Sequence, residues 1–313
     1  MKTVFMGTPD FAVPSLRVVA ENTDLALVVT QPDRPQGRGH KLKPPPVKEE
    51  ALRYGVKVVQ PEKLKGNEEF LSLLKDIKPD LIVVVAYGKI LRKEVLDIPR
   101  YGCINVHASL LPKYRGAAPI NWAIINGEKH TGITTMYMDT GLDTGDIILQ
   151  EVVDIGENDT AGSLHDRLKD VGAKVLCDTL RLIEQGKAVR VPQDDNSSTY
   201  APALDKDTGR IDWTKRAVDI VNLIRGTNPW PGAYTRYGGQ VLKIWRAQVV
   251  QCSKEGKPGE VMMADEKKGF IVRCGEGCVS IQELQAPNSR RMSYMEYLRG
   301  HRVEEGKSMG DVS

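Results

Sequence analysis

The chain has 313 residues, 41% of them hydrophobic and 27% charged, with a net charge of +3. That balance excludes a disordered polyelectrolyte, and no run approaches the roughly 18 uninterrupted apolar residues that span a bilayer, so a cytoplasmic globular protein is expected without a membrane partner. The charge is uneven: from Thr208 onward 17 Lys/Arg face 12 Asp/Glu, whereas the preceding residues carry 27 against 29. A basic C-terminal third fits a polyanionic partner such as nucleic acid.

Residues 1–7 read as an opening strand rather than a signal peptide, because the apolar run is short and a turn follows at Gly7. Thr8 is a candidate helix cap and Pro9 a first helical residue. Buried strands are expected at 25–29, 56–59 and 81–85, with helices at 14–21, 47–54 and 68–75 between them. Strands alternating with helices imply a doubly wound, Rossmann-like, mostly parallel sheet whose site lies beyond the carboxyl ends of the strands. Gly7-Thr8-Pro9-Asp10-Phe11 lacks the Gly-x-Gly-x-x-Gly of a dinucleotide site, which argues against an oxidoreductase.

Between Gln31 and Val47 lies a stretch rich in Gly and Pro carrying Arg34, Arg38, Lys41 and Lys43 against one acid, Asp33. It reads as a long irregular loop able to follow a phosphate backbone. Further strands are expected at 103–107, 133–138 and 147–153. Thr160 then caps a long helix with Leu164, Leu168, Val171, Val175, Leu180 and Ile183 on one face. His165 on that helix reads as structural or merely exposed.

Polar residues from Gln193 to Thr199 mark a linker, so the chain divides into a catalytic domain (1–190), a linker (191–206) and a C-terminal domain (207–313). In the last, a helix near 215–225 precedes five short strands at 234–237, 241–250, 259–263, 269–273 and 279–284. That pattern points to a small OB-like β-barrel, a fold that commonly binds nucleic acid. Trp230, between two prolines, reads as a packing anchor. The five cysteines are odd in number and scattered, which favours free thiols, and Cys274-x-x-x-Cys278 lacks two further ligands for zinc; no metal is expected.

The chemistry concentrates in Asn105-Val106-His107. Ile104, Val106 and Ala108 alternate with Asn105, His107 and Ser109, so Asn105 and His107 share one strand face about 7 Å apart. An amide can donate to a developing oxyanion, and an imidazole can accept a proton or share the negative charge as imidazolium. A carboxylate from Asp139-Thr140-Gly141-Leu142-Asp143-Thr144-Gly145 or from the adjacent Asp146 can fix the imidazole tautomer, with Asp139, Asp143 and Asp146 as candidates. The set suits acyl transfer to an amine.

Asn105-x-His107, Ser109-Leu110-Leu111-Pro112-Lys113-Tyr114-Arg115-Gly116 and Gly141-Leu142-Asp143-Thr144-Gly145 together resemble the folate-dependent formyltransferases. Gly7-Thr8-Pro9-Asp10-Phe11, Gln31-Pro32-Asp33-Arg34-Pro35, Asn228-Pro229-Trp230-Pro231-Gly232-Ala233 and Leu298-Arg299-Gly300-His301-Arg302 are similar to the members that act on methionyl initiator tRNA. The resemblance implies formyl transfer from 10-formyltetrahydrofolate, a consumed cosubstrate, to that tRNA, with no obligate protein partner. It also implies Asn105, His107 and Asp143 as the catalytic set. The implied folate site comprises Ser109, Leu110, Leu111 and Pro112, with Ala86, Tyr87, Gly88, Ile90 and Leu91, and Tyr137 and Met138. Arg34, Arg38, Lys41 and Lys43 become tRNA contacts, and Phe11 a wall for the methionine side chain. Relatives using glycinamide ribonucleotide or amino sugars share the core motif, so the acceptor rests on the loop and the C-terminal domain.

Overall fold

The computed structural model describes residues 1–36, 41–252 and 254–310. Two compact units emerge: Met1–Pro119 with His130–Asp154 and His165–Ala201, and Pro202–Ser313 with Ile120–Lys129 and Ile155–Leu164.

In the first unit, β1 (Lys2–Gly7), α1 (Val13–Asn22) and β2 (Asp24–Val29) lead into a ribbon of β3 (Arg34–Gln36) and β4 (Lys41–Lys43). After α2 (Pro46–Arg53) come β5 (Val58–Val59), α3 (Glu68–Ile77), β6 (Leu81–Val85), α4 (Lys93–Leu96), β7 (Cys103–His107) and β8 (Arg115–Gly116). After α5 (Pro119–Ile125), all but its first residue in the second unit, the first unit resumes with β9 (His130–Tyr137), β10 (Ile147–Asp154), α6 (Ala161–Glu184) from His165 on, and β11 (Tyr200–Ala201). Seven strands form one sheet in the order β10-β9-β7-β6-β1-β2-β5. The five from β7 to β5 are parallel, and β9 and β10 join antiparallel at the edge.

Residue alternation assigns the two faces. Val4 and Met6, Leu27 and Val29, and Ile82 and Val84 share a core with Phe70, Leu71 and Leu74 of α3, whose start is capped by Asn67 accepting from the Phe70 N–H. On the other face α6 approaches β7 and β9 at Gly172, where a Cβ would stand 3.3 Å from Val106. Thr135 of β9 and Thr179 of α6 pair through their hydroxyls at 2.7 Å, which satisfies two buried polar groups at once. Both β6 faces are therefore apolar, as a central parallel strand requires.

Several local expectations change. Thr8 does not cap a helix; its hydroxyl donates to the Tyr87 carbonyl, and a short 3-10 turn follows Pro9. The basic stretch is not irregular throughout, because β3 and β4 pair from Arg34↔Lys43 to Gln36↔Lys41; Arg38 lies outside the described residues. Val191 bridges Ile147, and β11 pairs with β8, so the polar run from 191 to 201 is hydrogen-bonded within the first unit.

The second unit holds α7 (Ala217–Gly226), β12 (Ala233–Tyr237), β13 (Gln240–Val250), β14 (Val261–Asp265), β15 (Gly269–Arg273), β16 (Cys278–Gln285), β17 (Met292–Ser293) and α8 (Tyr294–Gly300). Its strands form one antiparallel sheet, β12-β13-β16-β15-β14 with β17 against β16, the small C-terminal β domain expected. Ile220 and Ile224 of α7 and Tyr297 of α8 share its core with Ile244, Phe270, Val272, Ile281 and Leu284. The cysteines do not all stay free. Register places Val250 opposite Cys278, so the chain just past β13 brings Cys252 within bonding distance, and the two form a disulfide with Cα atoms 5.4 Å apart. Trp230 is no packing anchor, being 56% exposed. Among the described residues no helix is long and apolar enough to cross a membrane.

Candidate active site

Strand β7 delivers Asn105 and His107 to the same face, and the chain leaves the sheet immediately afterwards through Ser109. His107 is 6% exposed, and its Nε2 lies 2.9 Å from the Tyr114 carbonyl. A carbonyl only accepts, so Nε2 carries the proton and a neutral ring presents its lone pair at Nδ1. Nδ1 lies 3.6 Å from Asp143 Oδ2. The Tyr114 carbonyl therefore sets the tautomer, the task the sequence reading gave to Asp143. Asp143 instead faces Nδ1, the nitrogen left open.

Asp143 sits in the left-handed region at φ 55, in the bend between β9 and β10. Its Oδ2 accepts from the Gly116 N–H at 2.8 Å, and its Oδ1 lies 3.4 Å from the Asn105 amide nitrogen. The latter is long for a hydrogen bond, so the Asn105 amide keeps donor capacity for another oxygen. Asp139 accepts from the Gly141 N–H and the Thr144 hydroxyl, and Asp146 lies 3.4 Å from Arg190. Those two carboxylates shape the bend, and Asp143 alone of the three reaches the imidazole.

The residues assigned to folate fall into three groups. Ser109 is fully buried, donating to the Lys113 carbonyl, while Thr134 bonds the Ser109 carbonyl and the Leu111 N–H. Gln150 donates to the Leu111 carbonyl, and Pro112 follows a cis peptide bond. Leu111 is packed inside, and Leu110 lies over Gly132, so this exit from β7 is a braced turn. Past β6, Ala86 and Gly88 take positive φ and are exposed, Ile90 is exposed, and Tyr87 and Leu91 are buried. The Tyr87 hydroxyl has no hydrogen-bond partner among the described residues, and burial pushes it up to about 12. Tyr137 is roofed by Arg190, whose guanidinium carbon lies 3.6 Å from the ring centroid, and Met138 is half-buried beside it.

Gln31 donates to the Tyr87 and Gly88 carbonyls and accepts from Arg34, so the base of the basic ribbon is tied to the turn after β6. Lys43 is exposed on β4, and Lys41 begins that strand. Phe11 is buried with its ring 5.3 Å from that of His165, so His165 is a ring partner rather than a free surface residue. Among the described residues, Asp10, His165 and Asp166 lie near enough to share a cation, though Asp166 already holds Lys169 at 2.7 Å.

Four contributors escape a reading of side-chain chemistry: the Tyr114 carbonyl, the Gly116 N–H, the buried Arg115 and Gln193. The first two are main-chain groups that any residue offers. Gln193 lies in a polar run whose composition carries no positional signal.

A donor amide, an imidazole with a defined open nitrogen and a carboxylate, gathered at the tip of a parallel sheet, define a group-transfer enzyme working on a carbonyl. Residues 1–180 match the formyl transferase family, and residues 203–302 match the formyl transferase C-terminal domain. The chain is 56% identical over 307 residues to a protein of Caldanaerobacter subterraneus named methionyl-tRNA formyltransferase, covering 98% of this chain and 99% of that one. A protein of the same name from Acetivibrio thermocellus is 54% identical, covering 99% of this chain and all of its own. The N-formyltransferase from Helicobacter canadensis, solved with folinic acid and dTDP-3-aminofucose, shares the fold at TM-score 0.69 and 21% identity, over 93% of this chain and 100% of that one. The chain belongs to the formyl transferase family, on the branch whose relatives are methionyl-tRNA formyltransferases.

Proposed function

We propose that this chain transfers the formyl group of 10-formyltetrahydrofolate to the amino group of methionyl initiator tRNA, giving N-formylmethionyl-tRNA in the bacterial cytoplasm. One observation carries the reading: Asn105, His107 and Asp143 converge from β7 and the bend after β9, with Nδ1 of His107 open toward the carboxylate.

The amine attacks the formyl carbon, so negative charge grows on the formyl oxygen and a proton must leave the nitrogen. The Asn105 amide donates to that oxygen; donors of this kind are worth about 10²–10³ in rate where one has been removed. His107 takes the amine proton at Nδ1, and the ring, then protonated on both nitrogens, donates to the Tyr114 carbonyl and toward Asp143. Asp143 receives that positive ring and relays the proton to the departing tetrahydrofolate nitrogen. No step uses a metal.

Ala86, Tyr87, Gly88, Ile90 and Leu91, with Ser109 to Pro112 and Tyr137 and Met138, make the folate site. Arg34, Arg38, Lys41 and Lys43 hold the acceptor end of the tRNA, and Phe11 borders the methionine side chain. Residues 1–190 carry the chemistry and 207–313 add affinity for the tRNA. The test is one assay with purified protein and 10-formyltetrahydrofolate, comparing methionyl initiator tRNA, methionyl elongator tRNA and glycinamide ribonucleotide. Formyl label on initiator tRNA alone is expected, and label on a small amine acceptor instead would overturn the assignment.

A further inference from the structure

Gln193 stands in the polar stretch after α6, yet its amide is bonded on both sides. Its Oε1 accepts from Nε and Nη2 of Arg115 at 3.1 and 2.8 Å. Its Nε2 donates to the main-chain carbonyls of Asp143 and Gly145 at 2.9 and 2.8 Å. The opposite flip would set the amide NH2 against a guanidinium and the oxygen against two carbonyls, so donor and acceptor ends are fixed by the partners.

Arg115 is itself held. It is 2% exposed, it donates to Asp195 at 2.8 Å as well as to Gln193, and its own main chain is paired with Thr199 at 2.8 Å. A buried guanidinium keeps its acceptors because leaving them unpaired is expensive. Directly after it, the Gly116 N–H binds the Asp143 carboxylate. Asp143 meanwhile occupies a left-handed conformation, which a non-glycine residue keeps only where its surroundings over-determine it. One short ribbon therefore grips Asp143 twice: by its carboxylate through Gly116, and by its main chain through Arg115 and Gln193.

The geometry points to Gln193, oriented by Arg115, as a positioning residue that holds the Asp143 bend against His107. Its kinetic consequences rest on the proposed formyl transfer; its structural consequence does not. Two variants separate the roles. Gln193→Leu removes the amide, whereas Gln193→Glu keeps an acceptor for Arg115, so the buried cation stays paired, but turns repulsive oxygen toward two carbonyls.

Both variants are expected to lower kcat by about 10- to 100-fold, with KM for either substrate changed by no more than about 2-fold. In an Asp143→Asn background the same changes are expected to cost less than about 3-fold, since a residue acting through Asp143 has little left to act on. Without substrates, amide hydrogen exchange across residues 139–146 is expected to speed up by about 10-fold or more, with the remaining amides unaltered. Unchanged exchange in that bend, or a full kcat loss in the Asp143→Asn background, overturns the positioning role. Faster exchange in a protein whose wild type makes no formylated product sustains the positioning and removes only the reaction.

Discussion

Gly145 closes the bend that carries Asp143, and Gly145→Ala is expected to disarm the site without touching a reacting group. Gly145 does not take positive φ, so the demand is steric: a Cβ there would stand 1.8 Å from the Tyr137 carbonyl oxygen and 2.9 Å from its carbon. Cβ atoms essentially never come within 3.0 Å of a neighbour, so about 1.2 Å of movement is needed. Tyr137 ends β9, which is paired with β7 on one side and β10 on the other, and the exposed bend is the softer partner. The displacement therefore falls on Thr144 and Asp143, whose carboxylate is aligned by a 2.8 Å bond to Gly116. Misplacement near 1 Å lowers turnover by roughly 100-fold, and overpacking costs about 1–3 kcal/mol of stability. Gly141→Ala is the control, because there the intruding Cβ meets the Thr144 side chain rather than main chain. Single-turnover formylation, folate binding by fluorescence and urea unfolding are the measurements. If Gly145→Ala retains kcat within about 3-fold of wild type while Gly141→Ala loses more, the bend is not what aligns Asp143.

Three further expectations follow from other parts of the structure. His107→Ala and Asp143→Asn should each lower kcat by about 10²–10⁴ and leave folate binding intact, measured by turnover alongside equilibrium binding; near-normal turnover in either contradicts the proton route. The Arg17 guanidinium hydrogen-bonds Glu50 at 2.6 Å and, with Arg53, holds its carboxyl below the usual range against the cost of burial. A depressed carboxylate stabilises the fold above its unfolded pKa and loses that contribution as pH falls through the folded one. Glu50→Gln should therefore destabilise at pH 7 with the gap narrowing on acidification; a gap independent of pH refutes this. The Cys252–Cys278 bond closes a span of 26 residues and is worth about 3.5 kcal/mol by loop entropy. Dithiothreitol should lower the unfolding midpoint of wild type but not of Cys252→Ser, and equal response of the two removes the bond.

The parallel sheet was legible because buried strands announce themselves: Leu81-Ile82-Val83-Val84-Val85 has no polar residue to spare, and all five are buried. Asn105 and His107 were legible for a related reason, since a strand of alternating apolar residues that places an amide and an imidazole on one face has few structural uses for them. Choosing Asp143 over Asp139 and Asp146 needed the family resemblance, because three carboxylates within eight residues differ only in where a glycine-flanked bend sends them. The ribbon at Arg34 and Lys43 was hidden by prolines and glycines that read as punctuation. The disulfide was hidden because cysteine spacing carries no strand register, and only the Val250↔Cys278 pairing brings Cys252 close.

What composition could not show at all was the way the chain after α6 returns to the site. Hydrophobic periodicity reports which side chains leave water, and residues 193–201 bury few of theirs. They act through hydrogen bonds: Thr199 takes the Tyr114 N–H on its hydroxyl and the Arg115 N–H on its carbonyl, and Gln193 takes the Arg115 guanidinium. Each of those bonds lands on the segment that supplies the Tyr114 carbonyl to His107 and the Gly116 N–H to Asp143. A polar run that looks like a tether can thus set an imidazole tautomer and a carboxylate position together, because both depend on one stretch of main chain that the run holds through the Arg115 side chain and the Tyr114 and Arg115 N–H groups. Periodicity reveals which face of a strand carries Asn105 and His107, but not the main-chain groups that orient them, and so the proposed reacting pair was readable while its scaffold was not.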